Sequence, residues 1–326
     1  LVDEAVETGK LQVFAYTPAI KILVEHGRVC GVETHRGRIM SDKVVVSVGI
    51  WGPLLADQVG SKLPMVPLEH PLMFFGPYEE LSGTGAEIVY PLFRDQGNSG
   101  YFRDTGDPAT TEGGKIEWGY YETDNPVLVT ANDIAEPGES RMSPSMRELS
   151  LEQVLEPMEK AMALVPLLGE LGYEDRRSFN GLLSVTADGG SLIGEAPEIS
   201  GLWFAEAVWV KDGPGVGKVV ADWMTKGSPE YDPYGIDIAR FYPEQKQDDY
   251  VFGRCGEIAK KVYTPAVHPR EPFETGRQLF KSPFYEREVA LGGYFMEAAG
   301  WERAHGYAAN EPTLLAKYRD QIPQRM

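Results

Sequence analysis

The chain contains 326 residues, a length that suits a large core and more than one structural unit. Its 31 basic residues stand against 49 acidic ones, and the formal net charge of −18 at pH 7 argues against nucleic acid and anionic membranes as partners. No apolar run approaches the roughly 20 residues of a membrane-spanning helix. The two cysteines, Cys30 and Cys255, lack the spacing of a disulfide framework or a metal site, which favours buried thiols and a reducing cytoplasm.

Short strands are predicted at the start of the chain, at residues 11–14, 19–24 and 28–34. Residues 43–48 follow as an uninterrupted β-branched run, which is typical of a strand buried on both faces. A turn with two glycines and a helical pattern come next. This order predicts half of a doubly wound nucleotide-binding domain, in which backbone N–H groups of the turn can meet phosphate oxygens.

The composition changes between residues 66 and 121, where aromatic-rich strands alternate with turns. Strands are predicted at residues 72–75, 88–94, 100–103 and 115–121. The short turns between them favour an antiparallel sheet in a second lobe, which would bind the substrate.

A long surface loop is predicted at residues 125–150, followed by a helix at residues 151–165 with an apolar stripe that would face the core. The members of this stripe are Leu151, Val154, Leu155, Met158, Met162 and Val165. Another helix is predicted at residues 249–263.

A strand, a glycine-rich loop and a helix are predicted between residues 202 and 224. Apolar runs at residues 202–205 and 208–210 form the strand, and Gly213, Gly215 and Gly217 form the loop. Glycines allow a ligand to approach the backbone, and a helix N-terminus favours negative charge. A glycine-rich turn before a helix is more often a plain connection, so both interpretations stay open at this level.

Four groups of motifs are more specific than these local patterns. The first is D-x-V-V-x-S-x-G-x-W-G from Asp42, and the second combines P-L-E-H, which ends at His70, with G-Y-F-R around Tyr101. The third runs from Thr186 as T-x-D-G-x-x-x-I-G-E-x-P-x-I-x-G-L-W-x-A, and the fourth combines S-P-F-Y with G-W-E-R near residues 282–303. Together they resemble the FAD-dependent dimethylglycine and sarcosine dehydrogenases and oxidases.

This resemblance implies an α/β and α+β fold like that of D-amino-acid oxidase, with a partial doubly wound FAD-binding domain and an antiparallel substrate-binding sheet. Residues 1–65 and 181–235 would belong to the FAD-binding domain, and residues 66–180 to the substrate-binding domain. Residues 236–326 would connect to a folate-binding aminomethyltransferase-like domain outside this chain. No G-x-G-x-x-G follows an opening strand, so we expect the pyrophosphate-binding unit to lie upstream.

The resemblance also implies which residues contact FAD and which carry the chemistry. The cofactor-binding residues would be Ala19, Ser47, Val48, Gly49, Trp51, Tyr101, Val208, Trp209, Val210, Lys211, Gly213, Gly215 and Gly217. The catalytic pair would be His70 and Tyr101, facing the flavin. No motif for a metal site stands out.

General chemistry gives His70 and Tyr101 a separate rationale. An amine is oxidised as its free base, so a proton acceptor with a pKa near neutrality is useful, and histidine has one without tuning. A tyrosine hydroxyl can orient the imidazole or relay the proton. The alternative is an ordinary histidine at a strand edge, with no part in chemistry.

The implied function is FAD-dependent oxidative demethylation of a small N-methylated amino acid, such as dimethylglycine or sarcosine, by hydride transfer to flavin. Oxygen or an electron-transfer protein would accept the electrons, and tetrahydrofolate would act only in the missing C-terminal domain. Two alternatives stay open. The chain could belong to a non-catalytic interface subunit derived from a flavoprotein, or the same fold could act on another secondary or tertiary amine.

Overall fold

The computed structural model describes residues 1–81, 90–106, 113–134, 136, 143–262, 273–310 and 312. The chain forms two compact units. Unit 1 contains Leu1–Leu63 and Ser191–Ala239, and unit 2 contains Pro64–Gly190 and Arg240–Met326. The strand predicted at residues 88–94 and the end of the helix predicted at residues 249–263 fall partly outside the described residues.

The helices and strands of the described residues are as follows. The helices are α1 (Val2–Glu7), α2 (Gly52–Asp57), α3 (Leu151–Leu164), α4 (Leu168–Leu171), α5 (Gly213–Lys226), α6 (Asp248–Val262) and α7 (Tyr285–Ala290). The strands are β1 (Ala19–Glu25), β2 (Arg28–Thr34), β3 (Gly37–Met40), β4 (Val44–Val46), β5 (Met65–Phe75), β6 (Phe93–Asp95), β7 (Gly100–Asp104), β8 (Ile116–Tyr120), β9 (Met146–Glu148), β10 (Phe179–Thr186), β11 (Leu192–Glu195), β12 (Leu202–Glu206), β13 (Gly293–Ala298) and β14 (Trp301–Tyr307).

Unit 1 contains two small sheets. In the first, β1, β2 and β3 form an antiparallel meander. In the second, β12 lies between β11 and β4, antiparallel to β11 and parallel to β4, with Leu202 opposite Val44. Leu202, Trp203 and Phe204 are all buried, as expected for a central strand that is covered on both faces. The carboxyl ends of β4 and β12 therefore meet at one edge of this sheet.

Unit 2 is built on a six-stranded antiparallel sheet with strand order β6-β7-β8-β5-β10-β9. Residues directly opposite each other in neighbouring strands point to the same face, and so do residues two apart in one strand. One face carries Met73, Phe75, Phe102 and Trp118, which form a core with Val154 of α3. The other face carries His70 and Tyr101.

Helix α6 packs against the same sheet. Its Cys255 is buried, and Sγ donates a hydrogen bond to the carbonyl oxygen of Val185 in β10 at 3.3 Å. Both cysteines of the chain are free thiols, and Cys30 lies half-buried in β2. Cys255 is therefore the buried thiol that composition predicts, whereas Cys30 is only partly buried.

Two strand predictions in unit 1 need correction. Residues 11–14 form no strand. The predicted strand at residues 43–48 contains only Val44–Val46, and Val45 is 42% exposed rather than buried on both faces. A run of valines has high strand propensity, but burial depends on the elements that cover it. Within the described part of the chain, β4 has only β12 as a neighbour in its sheet.

Two further predictions fail in unit 2. Part of the predicted loop at residues 125–150 is strand β9, which pairs with β10. The predicted apolar stripe of α3 is also only partly correct, because Leu151 and Leu155 are 43% and 52% exposed. Val154 of the stripe is buried as predicted, and Met158, Met162 and Val165 pack against the core while partly exposed. Ala161, which was not predicted, is buried as well. The predicted helices at residues 151–165 and 249–263 correspond to α3 and α6.

Among the helices of the described residues, none combines the length and the apolar character needed to cross a lipid bilayer.

Candidate functional site

The candidate cofactor residues of unit 1 lie mainly in two segments that follow β4 and β12. After β4 come Ser47, Val48 and a single 3₁₀ turn, Gly49–Trp51, which runs directly into α2. Gly49 has a φ of +61°, a left-handed value that glycine adopts without strain. Ser47 is exposed and Trp51 is 37% exposed, so both side chains are accessible from the protein surface.

Glu206, the last residue of β12, holds the turn after β4. Its Oε1 accepts a hydrogen bond from the Val48 N–H at 2.8 Å, and its Oε2 accepts one from the Gly49 N–H at 2.6 Å. These are N–H groups of the turn that we expected to be open to phosphate oxygens. An internal carboxylate occupies them, so that expectation is wrong for Val48 and Gly49.

Glu206 is 1% exposed, and burial raises the pKa of its carboxyl group to about 7, although the hydrogen bonds from Val48 and Gly49 act in the opposite direction. No side chain with a positive charge contributes to this pKa among the described residues. No sequence pattern points to Glu206. Its position depends on the pairing of Phe204, two residues earlier, with Val46, and these strands are far apart in the sequence.

The second segment begins directly after Glu206. Ala207 has a positive φ of 52°, Val210–Asp212 form a 3₁₀ turn, and α5 begins at Gly213. Val208, Trp209 and Val210 therefore do not continue the strand as predicted. Val210 is 97% exposed.

Gly213, Gly215 and Gly217 belong to the first turns of α5, so the prediction that they form a loop before the helix is wrong. A Cβ at any of the three would meet no heavy atom of the described residues within 4 Å. Lys211, the remaining predicted residue, pairs with Asp212 at 2.7 Å, and the Asp212 side chain does not cap the helix. The helix therefore begins with a bare backbone surface and without a side-chain cap, although the Gly213 N–H donates to the Val210 carbonyl oxygen.

These features of unit 1 fit a flavin cofactor. A glycine surface lets a flat ring approach the backbone, and the uncapped N-terminus of α5 favours negative charge. The predicted contact Ala19 lies exposed at the start of β1, opposite Thr34.

The catalytic candidates of unit 2 form a direct pair. Nε2 of His70 lies 3.0 Å from Oη of Tyr101, within hydrogen-bond distance. The register explains this meeting of residues 31 positions apart: Tyr101 is opposite Gly119, Gly119 is opposite Leu72, and His70 is two residues before Leu72. Both side chains therefore lie on one face of the sheet.

Gly119 makes the position of Tyr101 possible. A Cβ at Gly119 would overlap Cζ and Oη of Tyr101, so any side chain there would push the phenol ring away. The ring crosses β8 at the one residue of that strand without a side chain, and its hydroxyl reaches His70 in β5. Sequence patterns did not identify Gly119, because its role depends on the pairing of three strands.

Tyr121 and Arg94 complete this cluster, and sequence analysis missed both. The Tyr121 ring centroid lies 4.4 Å from that of His70 and 5.8 Å from that of Tyr101. Cζ of Arg94 lies 5.0 Å from the Tyr121 ring centroid, a cation–π distance. Arg94 is opposite Tyr101 in the β6–β7 pair, so it shares the face of the sheet.

The protonation states of the pair follow from this environment. Burial and the positive charge of Arg94 lower the pKa of His70 to about 4, while a hydrogen bond to the Tyr120 backbone acts in the opposite direction. The imidazole is therefore neutral at pH 7, and the expectation of a pKa near neutrality is wrong. Burial raises the pKa of Tyr101, so its hydroxyl keeps its proton and can donate to Nε2.

Sequence comparisons assign the chain to a family. The sequence model of the FAD dependent oxidoreductase family matches residues 1–223, and that of the FAD dependent oxidoreductase central domain matches residues 226–282. The 4-methylaminobutanoate oxidase (formaldehyde-forming) of Paenarthrobacter nicotinovorans is 31% identical over 91% of this chain and 34% of its own length. Mitochondrial sarcosine dehydrogenase of Homo sapiens is 29% identical over 89% of this chain and 30% of its own length.

A third relative has a different kind of name. The mitochondrial pyruvate dehydrogenase phosphatase regulatory subunit of Mus musculus is 27% identical over 97% of this chain and 34% of its own length. The chain thus spans about a third of the length of these relatives. Among solved structures, L-proline dehydrogenase from P. horikoshii has a TM-score of 0.56 at 22% identity over 73% of this chain and 57% of that one. The predicted fold class is confirmed.

Proposed function

Because the chain belongs to the FAD dependent oxidoreductase family, we propose that its protein oxidises a small N-methylated amino acid and removes the methyl group. The observation that carries this proposal is the His70–Tyr101 pair at 3.0 Å, with the positive charge of Arg94 close enough to lower the pKa of His70. The names of two relatives, a 4-methylaminobutanoate oxidase and a sarcosine dehydrogenase, support the substrate class.

The two segments of unit 1 hold FAD in this proposal. Gly213, Gly215 and Gly217 give the ring close access to the backbone, and the N-terminus of α5 stabilises negative charge on it. The exposed apolar side chains next to them, including Val210, are covered when the cofactor binds. When bound, FAD supplies the acceptor for the hydride that leaves the carbon next to the substrate nitrogen.

The side chains of unit 2 select the reactive form of the substrate. An ammonium group has no lone pair on nitrogen to assist loss of hydride, so the amine must bind without its extra proton. The burial and the charge of Arg94 that lower the pKa of His70 also lower the pKa of an ammonium group placed beside it. This environment therefore favours the free base without a strong base, and the neutral His70 holds the Tyr101 hydroxyl in place.

Tyr101 and Arg94 orient the substrate. The Tyr101 hydroxyl is fixed by its contact with His70 and points its polar end at the amine. Arg94 binds the substrate carboxylate, because a guanidinium group makes paired hydrogen bonds with a carboxylate.

The test uses the full-length protein with its bound flavin. We expect a yellow preparation that loses its colour when sarcosine or dimethylglycine is added without oxygen. Tyr101→Phe should slow this bleaching by about tenfold to a hundredfold, because it removes the hydroxyl but keeps the ring. Tyr120→Phe is the matched control, since Tyr120 belongs to the core on the opposite face of the sheet.

Two outcomes contradict the proposal. A colourless full-length protein would show that it does not bind FAD. A yellow protein that no N-methylated amino acid bleaches would exclude this class of substrate. It would favour the second candidate function, a non-catalytic subunit derived from a flavoprotein. One comparison supports that alternative, namely the similarity to a phosphatase regulatory subunit.

The remaining assignments belong to the whole protein. Oxygen or an electron-transfer protein reoxidises the cofactor, and tetrahydrofolate takes part only through a domain outside this chain. The two free thiols support a reducing cytoplasm as the compartment.

A further inference from the structure

Glu206 connects the two segments that we assign to the cofactor. Its carboxylate accepts from the N–H groups of Val48 and Gly49, and its own backbone leads directly into Ala207. The two partners are 157 and 158 residues away in sequence, so this contact is a long-range link within unit 1. It lies at the carboxyl ends of β4 and β12, the place where doubly wound sheets bind ligands.

We propose that Glu206 is a positioning residue that fixes the turn at Val48 and Gly49 relative to the segment that begins at Ala207, so that both form one FAD-binding surface. This inference rests on the proposed function, because it takes FAD as the ligand of that surface. It concerns only how unit 1 is prepared for the cofactor.

Three observations on neighbouring residues support a built site. Gly52 leaves room for the carboxylate, since a Cβ there would lie 3.0 Å from Cδ and Oε1 of Glu206. Ser191 Oγ donates to the Ala207 carbonyl at 3.1 Å and holds the backbone just beyond Glu206. Ala207 itself has a left-handed φ of 52°, which is uncommon for a residue with a side chain.

A structural role alone explains Glu206 poorly. A buried carboxylate is costly when no positive side chain pairs with it, as is the case for Glu206 among the residues that the structure describes, and its raised pKa reflects that cost. Residues that lower stability are retained where they serve function. Only the ionised form offers two acceptor oxygens to the two N–H groups, whereas a glutamine amide offers one and turns its NH₂ group towards the other N–H.

The experiment compares Glu206→Gln with Glu195→Gln in the full-length protein. Glu195 is the matched control, because it also accepts a backbone N–H, that of Gly201 at 2.6 Å, but at the turn between β11 and β12. Three quantities are measured at pH 8: FAD affinity of the apoprotein by fluorescence titration, stability in urea, and amide hydrogen exchange of peptides that cover residues 47–51.

We expect Glu206→Gln to weaken FAD binding about tenfold, the effect of one lost charge-assisted hydrogen bond. Exchange should become about tenfold faster at residues 48 and 49 and stay unchanged at residues 192–195. Stability should not fall, because the buried charge is gone. Glu195→Gln should leave both FAD affinity and exchange at residues 48 and 49 as in the wild type.

Unchanged FAD affinity in Glu206→Gln would overturn the inference. Lower stability with unchanged affinity would assign Glu206 a structural role only, and would overturn it as well. If the wild-type protein binds no FAD, the proposed function fails, whereas unchanged exchange at residues 48 and 49 in the apoprotein refutes the positioning of the turn by itself.

Discussion

The two candidate regions differ in the groups that they present: one presents mainly backbone groups, and the other presents side chains. The region in unit 1 offers mainly backbone: an uncapped helix N-terminus, three glycines and a turn held by Glu206. The region in unit 2 offers side chains held by the register of a sheet: His70, Tyr101, Tyr121 and Arg94. A cofactor can be bound by shape and dipole, whereas selection of a free amine requires particular groups at particular distances.

Gly215 is the position in unit 1 where we expect the largest effect of a substitution. Gly215→Val should abolish flavin binding, by at least a hundredfold in affinity, because the side chain would occupy the surface that we assign to the ring. The fold should persist, since a Cβ at Gly215 meets no heavy atom of the described residues within 4 Å. Flavin content and the circular dichroism spectrum of the purified protein measure the two effects.

The control for Gly215 is Gly169→Ala in α4, another helical glycine with open space around its Cβ in the described part of the chain. This change should leave flavin content unaltered. A Gly215→Val protein that retains full flavin content would contradict the glycine surface as the cofactor site.

The two regions should also respond to pH in opposite directions. The folded pKa of Glu206 is raised from 4.5 to about 7, so the folded state binds this proton more tightly than the unfolded chain. Its contribution to stability is therefore fully present below pH 4.5 and is lost as the pH rises through 7. The loss amounts to about 3 kcal/mol.

Urea unfolding of the wild type and Glu206→Gln from pH 4 to pH 8 measures this contribution. The wild type should lose stability relative to the variant as the pH rises. A difference that is independent of pH would show that the folded protein does not shift the pKa of Glu206.

The contribution of His70 to stability changes with pH in the opposite direction to that of Glu206. Its folded pKa is lowered from 6.5 to about 4, so the unfolded chain binds the proton more tightly. The contribution of neutral His70 is fully present above pH 6.5 and is lost as the pH falls through 4, again by about 3 kcal/mol. In the same urea experiment, the stability of the wild type relative to His70→Gln should decrease towards low pH. An increase would refute the lowered pKa of His70.

Arg94 tests substrate recognition in unit 2 alone. Arg94→Gln should raise KM for sarcosine by about 30-fold, the effect of losing a charge-assisted pair with the carboxylate. An N-methylated amine without a carboxylate should be affected much less. Steady-state kinetics with both substrates give the comparison, and equal changes for the two would exclude Arg94 as the carboxylate ligand.

A substitution at Gly119 tests whether the contact between Tyr101 and His70 matters, and its expected effect is smaller. Gly119→Ala should slow flavin reduction about tenfold, because the new methyl group displaces the Tyr101 ring from His70. In a Tyr101→Phe background the same change should cost much less, since the hydroxyl is already gone. Rapid-mixing measurements of flavin reduction show both effects.

Gly181→Ala is the control for Gly119, because Gly181 is opposite His70 on the same face and its Cβ would lie 3.4 Å from the Phe179 ring, an ordinary contact. It should reduce flavin at close to the wild-type rate. Equal rates for Gly119→Ala and Gly181→Ala would contradict the role of Gly119.

Sequence patterns predict which segments form helices and strands, but they do not predict which faces of these elements are buried. The antiparallel sheet, α3 and α6 follow from local periodicity. The exposure of Val45 and the buried face of α3 depend on neighbours far away in the chain. The glycine-rich stretch between a strand and a helix predicts a loop, yet α5 begins with Gly213, at a helix start where the cost of glycine is small and Pro214 is favourable.

The motif resemblance named His70 and Tyr101, and their contact is observed. Their role, like that of the thirteen residues assigned to FAD and of the four predicted segments of the chain, stays a prediction. Arg94, Gly119 and Glu206 could not be inferred, because each acts through strand register. The pKa of His70 was also beyond sequence analysis, since it depends on burial and on the charge of Arg94.

The most direct test of the central claim follows flavin reduction by isotopically labelled sarcosine in rapid-mixing experiments without oxygen. If the protein removes the methyl group, deuterium on the N-methyl carbon slows reduction several-fold, and deuterium on the methylene carbon has little effect. Slowing by methylene deuterium alone, or no reduction with sarcosine and dimethylglycine, would contradict oxidative demethylation.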